Sequence, residues 1–148
     1  MNLTERINQD LKAAMIAKDT VGLRGIRAIK SAIMIFNTSG TGEELNSESE
    51  IKIIQKLIKQ RKDSLEIFVQ QNRPELASIE EEEIVVIEKY LPVQLSSEEL
   101  ESFVTDLIKE LGAAGMKDMG KVMGATNGRL AGKADGKSIS EMVKKLLA

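Results

Sequence analysis

The 148-residue chain contains no cysteine and no histidine, and its aromatic residues are one Tyr and three Phe. Without cysteine it has no disulfide framework, no thiolate nucleophile and no cysteine-based zinc site. Without histidine it also lacks the commonest general base, the usual transition-metal ligand and every Ser-His or Cys-His nucleophile arrangement. The residues therefore favour a non-catalytic protein that uses neither a metal nor another cofactor.

Long hydrophobic runs are also missing. No stretch approaches the ~20 apolar residues of a membrane span, and Glu5, Arg6, Asp10 and Lys12 interrupt the segment where a signal peptide has its apolar centre. A hydrophobic fraction of 42%, a charged fraction of 30% and a net charge of -2 are typical of soluble globular proteins. We therefore expect a cytoplasmic protein without a membrane partner.

Helical periodicity of apolar residues recurs along the chain and strand patterns do not, which predicts an all-α protein of seven helices. Pro92 ends the fourth helix, because proline restricts the residue before it and donates no N–H. We expect an N-terminal domain of about four helices over residues 1–92 and a small three-helix C-terminal domain over residues 96–148. The predicted helix starts are Asn2 with Glu5, Asp19, Ser47 with Glu50, Ser96 with Glu99, and Asp135.

A charged pair is predicted inside the apolar interface of helices three and four. Projected at about 100° per residue, Arg61 lies in the middle of one apolar face and Glu83 in the other. If the helices form a hairpin turning near Asn72, each lies eleven positions from the turn. Because an isolated buried charge is costly, we expect a structural ion pair from Arg61 to Glu83 or Glu80, with a ligand-binding arginine as the alternative.

Two further patterns have both a functional and a structural interpretation. Residues 131–138, AGKADGKS, fit a relaxed phosphate loop with alanine in place of the first glycine. That motif needs a strand before the loop, whereas a helix precedes it here, so a turn capped by Asp135 is the alternative. The acidic run Glu80–Glu83 could bind a metal or form an acid-base pair, but acids near a helix start also complement the helix dipole.

Lysines follow the solvent side of helix three and are concentrated near the end of the chain. From Ala113 onward there are 7 basic residues against 3 acidic ones. Such faces are often only solvated. Together they could instead follow a phosphate backbone, read by shape and charge because no aromatic residue is interleaved for base stacking. The candidates for RNA binding are Lys52, Lys56, Lys59, Lys121, Lys133 and Lys137.

Glycines recur every fourth residue in the last third of the chain. A glycine inside a helix is about 1 kcal/mol less favourable than an alanine, so repeated glycines there need a structural or functional explanation. We expect Gly120 and Gly124 to let helix five or helix seven approach helix six closely. The repeat consists of Gly120, Gly124, Gly128, Gly132 and Gly136.

Several motifs resemble the bacterial YqeY family over nearly the whole chain. The C-terminal unit is also similar to the GatB tail domain of the glutamine-dependent aspartyl/glutamyl-tRNA amidotransferase. This resemblance implies a helical N-terminal domain joined to a small three-helix domain, and a role near tRNA-dependent amidation. The motifs are RAIKSAI at 27–33, KQRKDS at 59–64, YLPVQLSSEE at 90–99, MGKVMG at 119–124 and GKADGK at 132–137. By matching position, the tail's motif residues are Gly120, Val122, Met123, Gly124, Gly132, Lys133 and Ala134.

Three functions follow from these observations. The preferred one is a stand-alone, non-catalytic accessory module that binds tRNA or an assembly containing it, with a protein of the amidation or translation machinery as a further partner. The alternative is a protein-interaction adaptor without RNA contact, which the net charge of -2 and the lack of stacking aromatics favour. The third, implied by the resemblance, is a component of a carbon-nitrogen ligase with glutamine as amido-N-donor, but the chain shows no nucleophile-base pair for it.

Overall fold

The computed structural model describes every residue, Met1–Ala148, and consists of helices and their connections. It contains no strand, so the predicted all-α fold of seven helices is confirmed. A single 3-10 turn, Met116–Asp118, leads directly into the sixth helix. The helices are α1 (Leu3–Ala17), α2 (Thr20–Asn37), α3 (Ser47–Gln70), α4 (Pro74–Glu88), α5 (Ser97–Leu111), α6 (Met119–Leu130) and α7 (Gly136–Leu147).

The chain divides into two compact units, each with its own hydrophobic core. The first, Met1–Leu91, contains α1 to α4, and the second, Pro92–Ala148, contains α5 to α7. Each fully buried Val, Ile or Leu side chain contributes about 1.5–3 kcal/mol by removing apolar surface from water. In the first unit these residues include Ile7, Ile29, Ile54 and Ile87; in the second they include Val104, Val122, Ile139 and Val143.

Side chains cap the starts of five helices, which explains where those helices begin. The predicted capping boxes at Asn2 and Ser96 are present. At α3 the predicted cap is one residue late: Asn46 is the N-cap, and its side-chain oxygen accepts a hydrogen bond from Ser49 N–H at 2.9 Å. Asn46 has extended backbone angles, as an N-cap requires, whereas Ser47 is already helical. The capping residues are Asn2, Asp19, Asn46, Ser96 and Asp135.

In the first unit, α2 and α4 approach each other closely at a glycine. A Cβ built on Gly25 would lie 2.5 Å from Cγ1 and 2.7 Å from Cβ of Val86. Gly25 is buried and Val86 is only 8% exposed, so no solvent separates the two helices at this point. The missing side chain of Gly25 is therefore what allows the contact, which was not predicted from the sequence.

In the second unit, the segment before α5 is bonded to the turn between α6 and α7. Leu95 N–H donates to the Lys133 carbonyl at 2.8 Å. Gln94 Nε2 donates to the Gly132 carbonyl at 2.6 Å and to the Pro92 carbonyl at 2.8 Å. Gly132 has a φ of +83°, a left-handed conformation that glycine adopts without steric cost. The turn that carries Lys133 is thus held in place by hydrogen bonds from the Leu95 backbone and the Gln94 side chain.

Candidate nucleic-acid interface

The structure pairs Arg61 of α3 with Glu83 of α4. Arg61 Nε donates to Glu83 Oε2 at 3.2 Å, and Arg61 Nη1 donates to the Leu57 carbonyl at 3.1 Å. Both charged side chains are 17% exposed. Glu80 forms no hydrogen bond with Arg61; burial and then repulsion from Glu83 raise the pKa of Glu80, against a smaller lowering by Arg61. Because Arg61 is bonded within the protein, the structural interpretation is favoured over a ligand-binding arginine.

The predicted basic stripe on α3 is largely neutralised by acids of the same helix. Lys52 Nζ lies 3.1 Å from Glu48 Oε1, and Lys59 Nζ lies 3.6 Å from Asp63 Oδ2. Each pair is one helical turn apart, the spacing at which opposite charges interact on a helix surface. Lys56, between them, is exposed and forms no ion pair. The first unit therefore presents little net positive charge along this stripe, which favours a solvated face.

Helix α6 exposes three glycines to solvent along one side. Gly120, Gly124 and Gly128 are exposed, and a Cβ built on any of them would meet nothing within 4 Å. Their spacing places them on one side of the helix, opposite the buried residues Val122 and Thr126. The interpretation of Gly120 and Gly124 as close-packing glycines is therefore wrong, because α5 and α7 pack against the other side of α6.

The three lysines proposed for RNA binding in the second unit have different surroundings. Lys121 Nζ donates to the Leu111 carbonyl at 3.3 Å, and so caps the end of α5. Lys133 and Lys137 are exposed, and neither side chain forms an ion pair or hydrogen bond. Of these three lysines, Lys133 and Lys137 at the turn between α6 and α7 are therefore the two whose ammonium groups are free to meet an anion.

The same turn includes the relaxed phosphate-loop pattern of residues 131–138. The element before it is the helix α6, where a phosphate loop requires a strand. The Asp135 side chain accepts a hydrogen bond from Ser138 N–H at 2.7 Å, so a carboxylate already lies at the start of α7. This geometry favours the capped turn over a nucleotide-binding loop.

Two of the four acids in the run Glu80–Glu83 form ion pairs with arginines. Glu82 Oε2 accepts a hydrogen bond from Arg24 Nη2 at 2.5 Å, and Glu83 accepts one from Arg61. No group of three or more His, Cys, Asp or Glu residues is arranged to hold a metal ion. No helix combines the length and the hydrophobicity that a membrane span requires.

Two polar clusters were not predicted from the sequence. In the second unit, Arg129 Nη1 and Nη2 donate to the two carboxylate oxygens of Glu110 at 2.6 and 2.9 Å, which lowers the pKa of Glu110. In the first, the Arg6 guanidinium lies 4.6 Å from the Tyr90 ring centroid, and Tyr90 Oη donates to Asp10 Oδ2. Burial, followed by the hydrogen bond to Asp10, raises the pKa of Tyr90. Both clusters join distant chain segments and therefore have no local sequence signal.

Comparison with known proteins identifies the family. A family model described as Yqey-like protein matches residues 4–147. The chain belongs to the Yqey-like family. The resemblance of the sequence motifs to the YqeY family is thereby confirmed, and the match covers both compact units of this Yqey-like chain.

Curated fungal relatives share the name "Altered inheritance of mitochondria protein 41, mitochondrial". The one from Lachancea thermotolerans is 40% identical over 108 residues, covering 71% of this chain and 57% of the relative. That from Vanderwaltozyma polyspora is 34% identical over 119 residues, 76% and 64% of the two chains. That from Clavispora lusitaniae is 39% identical over 115 residues, 75% and 65%. The chain thus spans less than two thirds of each of these relatives.

The names of these relatives correct one expectation. All three are named as mitochondrial proteins. The expectation of a cytoplasmic protein, which rested on composition and on the polar N-terminal segment, is therefore wrong. Composition distinguishes soluble from membrane-spanning chains, but it carries no information on the compartment in which a soluble domain resides.

Proposed function

We propose that this Yqey-like chain is a non-catalytic accessory module that binds tRNA, or an assembly containing tRNA, in the setting of tRNA-dependent amidation. The proposed binding surface lies on the second unit and consists of the exposed glycines of α6 together with Lys133 and Lys137. We call it the RNA face. The observation that carries the proposal is the exposure of three glycines along one side of α6. Similarity of the C-terminal unit to an amidotransferase tail domain supports the choice of RNA.

The glycines of α6 impose a cost that no contact within the chain explains. Each exposed helical glycine is less favourable than alanine by about 1 kcal/mol, so three sum to about 3 kcal/mol. A Cβ at Gly120, Gly124 or Gly128 would meet nothing, so stability alone would favour alanine at every one of them. A partner that must approach the helix backbone closely supplies the missing reason. The shallow minor groove of an A-form RNA helix is a surface of that kind.

Charge and composition indicate how such a contact would work. From Ala113 onward the chain has 7 basic residues against 3 acidic ones, and Lys133 and Lys137 are free to meet phosphate. The aromatic residue of the second unit, Phe103, packs against the hydrophobic core, so no ring is offered for base stacking. Recognition would therefore rest on backbone shape and phosphate charge rather than on unpaired bases.

A protein-interaction adaptor is the second candidate. The neutralised stripe on α3 favours it, because Lys52 and Lys59 are paired with acids and would not attract RNA. Pull-down with and without nuclease treatment separates the two, since capture that depends on RNA disappears after nuclease. The ligase remains the third candidate, and the sequence contains neither the cysteine nor the histidine from which the usual nucleophile-base pairs are built.

The test is filter binding of the purified chain to total tRNA over a salt series. We expect retention at low salt, a steep loss with rising salt, and weakening by about tenfold or more in Lys133→Glu/Lys137→Glu. The control is Lys12→Glu/Lys89→Glu, which makes the same charge change at exposed positions of the first unit. No retention even at low salt, or equal weakening by both double variants, would contradict the proposal.

A further inference from the structure

A groove lies in the first unit, at the turn between α3 and α4. It has a volume of about 320 Å³ and is lined by Val69 at the end of α3 and by Pro74, Ala77 and Glu81 of α4, among others. The Val69 side chain is 63% exposed, while Ala77 is buried and closes the bottom. The groove is therefore open to solvent, partly apolar, and large enough for one bulky apolar side chain.

The groove continues into an exposed face of α4. We define the α4 outer face as Pro74, Ser78, Glu81, Val85 and Glu88, all of which are exposed and follow the helical repeat. Val85 is 59% exposed, an unusual position for a β-branched apolar side chain on a helix that has a well-formed buried side. This face extends along about 21 Å of the helix and carries two acidic residues, Glu81 and Glu88, with Val85 between them.

The net charge of this surface is negative. Arg73 also lines the groove, but its Nε donates to Glu75 Oε1 at 2.6 Å, so its charge is balanced by Glu75. Glu81 and Glu88 are exposed and form no ion pair. The acids that pair elsewhere in α4, Glu82 with Arg24 and Glu83 with Arg61, do not belong to this face.

We infer that the groove and the α4 outer face dock a helical protein segment that carries two basic residues about one heptad apart and apolar residues between them. Glu81 and Glu88 are seven positions apart in the sequence, about 10 Å along the helix, with Val85 between them. A partner helix with the complementary pattern would bring each basic group to one carboxylate and its apolar residues to Val85 and the groove.

The negative charge of this surface favours a basic helical segment over RNA or a second copy of the chain. RNA is repelled by the unpaired carboxylates. A second copy of the chain using the same face would set Glu81 and Glu88 against identical acids, and like charges in contact disfavour the pairing. A basic amphipathic segment is attracted to the same surface. The inference does not rest on RNA binding, because it concerns the other compact unit.

Peptide display on the intact chain provides the test. Random peptides of about four helical turns are selected against the full-length protein, and enriched sequences are then synthesised and titrated by fluorescence anisotropy. We expect enrichment of Lys or Arg at heptad spacing with Leu, Ile or Phe between. Scrambled peptides of the same composition should bind more weakly by about tenfold.

Two variants assign the binding to this face. Glu81→Lys/Glu88→Lys should weaken binding by about tenfold or more, and peptides with glutamate in place of the basic pair should bind this variant instead. Val85→Ser should weaken binding without changing its salt dependence. The control is Glu43→Lys/Glu44→Lys, which makes the same charge change in the exposed segment before α3 and should leave binding intact.

Four results would overturn the inference. They are the absence of any enriched peptide, enriched peptides without a basic pair, equal weakening by the α4 variants and the control, and concentration-dependent self-association that Glu81→Lys/Glu88→Lys abolishes. The last result would show that the α4 outer face binds a second copy of the chain. Thermal melting followed by circular dichroism checks that each variant keeps its fold, and Val85→Ser replaces any charge variant that does not.

Discussion

Arg61 and Glu83 meet at 3.2 Å across the α3 and α4 interface, with each side chain only 17% exposed. If one residue of this pair is removed, the other keeps its charge in a position that water reaches poorly. We expect Arg61→Met to lower the free energy of unfolding by about 3 kcal/mol, at the low end of the range for buried pairs because some exposure remains. Urea denaturation measures it. Arg61→Met/Glu83→Leu should recover most of the loss, and a single variant as stable as wild type would show that the pair is unimportant.

The contact of Gly25 with Val86 makes a second prediction. Gly25→Ala places a methyl group 2.5 Å from Val86 Cγ1, so α2 and α4 must separate or Val86 must move. We expect a loss of about 1–3 kcal/mol in the free energy of unfolding, despite the better helix propensity of alanine. Adding Val86→Ala should relieve the clash, although it leaves its own cavity. A stabilised Gly25→Ala would contradict the packing described.

On the outer face of α6, replacing glycine with alanine should stabilise the chain, in contrast to Gly25→Ala. Gly120→Ala, Gly124→Ala and Gly128→Ala add methyl groups that meet nothing, so each should stabilise the chain by about 0.5–1 kcal/mol. If this face binds RNA, the triple variant should melt at a higher temperature and yet bind tRNA more weakly. Higher stability with unchanged binding would remove α6 from the RNA face.

The raised pKa of Glu80 predicts that its effect on the stability of the fold depends on pH. Burial and the neighbouring Glu83 raise the pKa of Glu80, so its ionised form is disfavoured in the folded state. Above this raised pKa the ionised carboxylate costs stability, and the cost disappears as pH falls below the ordinary value for a glutamate. Glu80→Gln should therefore melt higher than wild type at pH 7, and the difference should shrink towards pH 4. A difference that grows on acidification would mean that the sign of the shift is wrong.

The separate core of the second unit predicts independent folding. Its buried cluster is formed by residues between Leu100 and Leu147, and none comes from the first unit. A fragment covering Pro92–Ala148 should show a helical circular dichroism spectrum and a cooperative thermal transition. A fragment that is unfolded at low temperature would show that the unit depends on the rest of the chain.

Local patterns in the sequence were sufficient for most helices, because caps and apolar periodicity act within a few residues. The Arg61 and Glu83 pair was also accessible, since a short hairpin fixes which positions face each other. The glycine repeat was not: spacing shows that Gly120 and Gly124 share a face, but only the packing of the whole unit shows that the face is turned to solvent. The contact of Tyr90 with Asp10 likewise requires the folded bundle, because eighty positions separate them.

The hydrogen bonds from Gln94 and Leu95 to the α6 and α7 turn bear on how this unit can be reused in other polypeptides. A transplanted copy that began at the first residue of α5 would keep its three helical segments and the buried residues of its core, but it would lose the Ser96 cap and the packing of Leu95. It would lose the backbone support under Lys133, and with it the fixed position of that ammonium group. A portable version of the unit must therefore include the short non-helical strip from Pro92 to Leu95, which composition alone would assign to a linker.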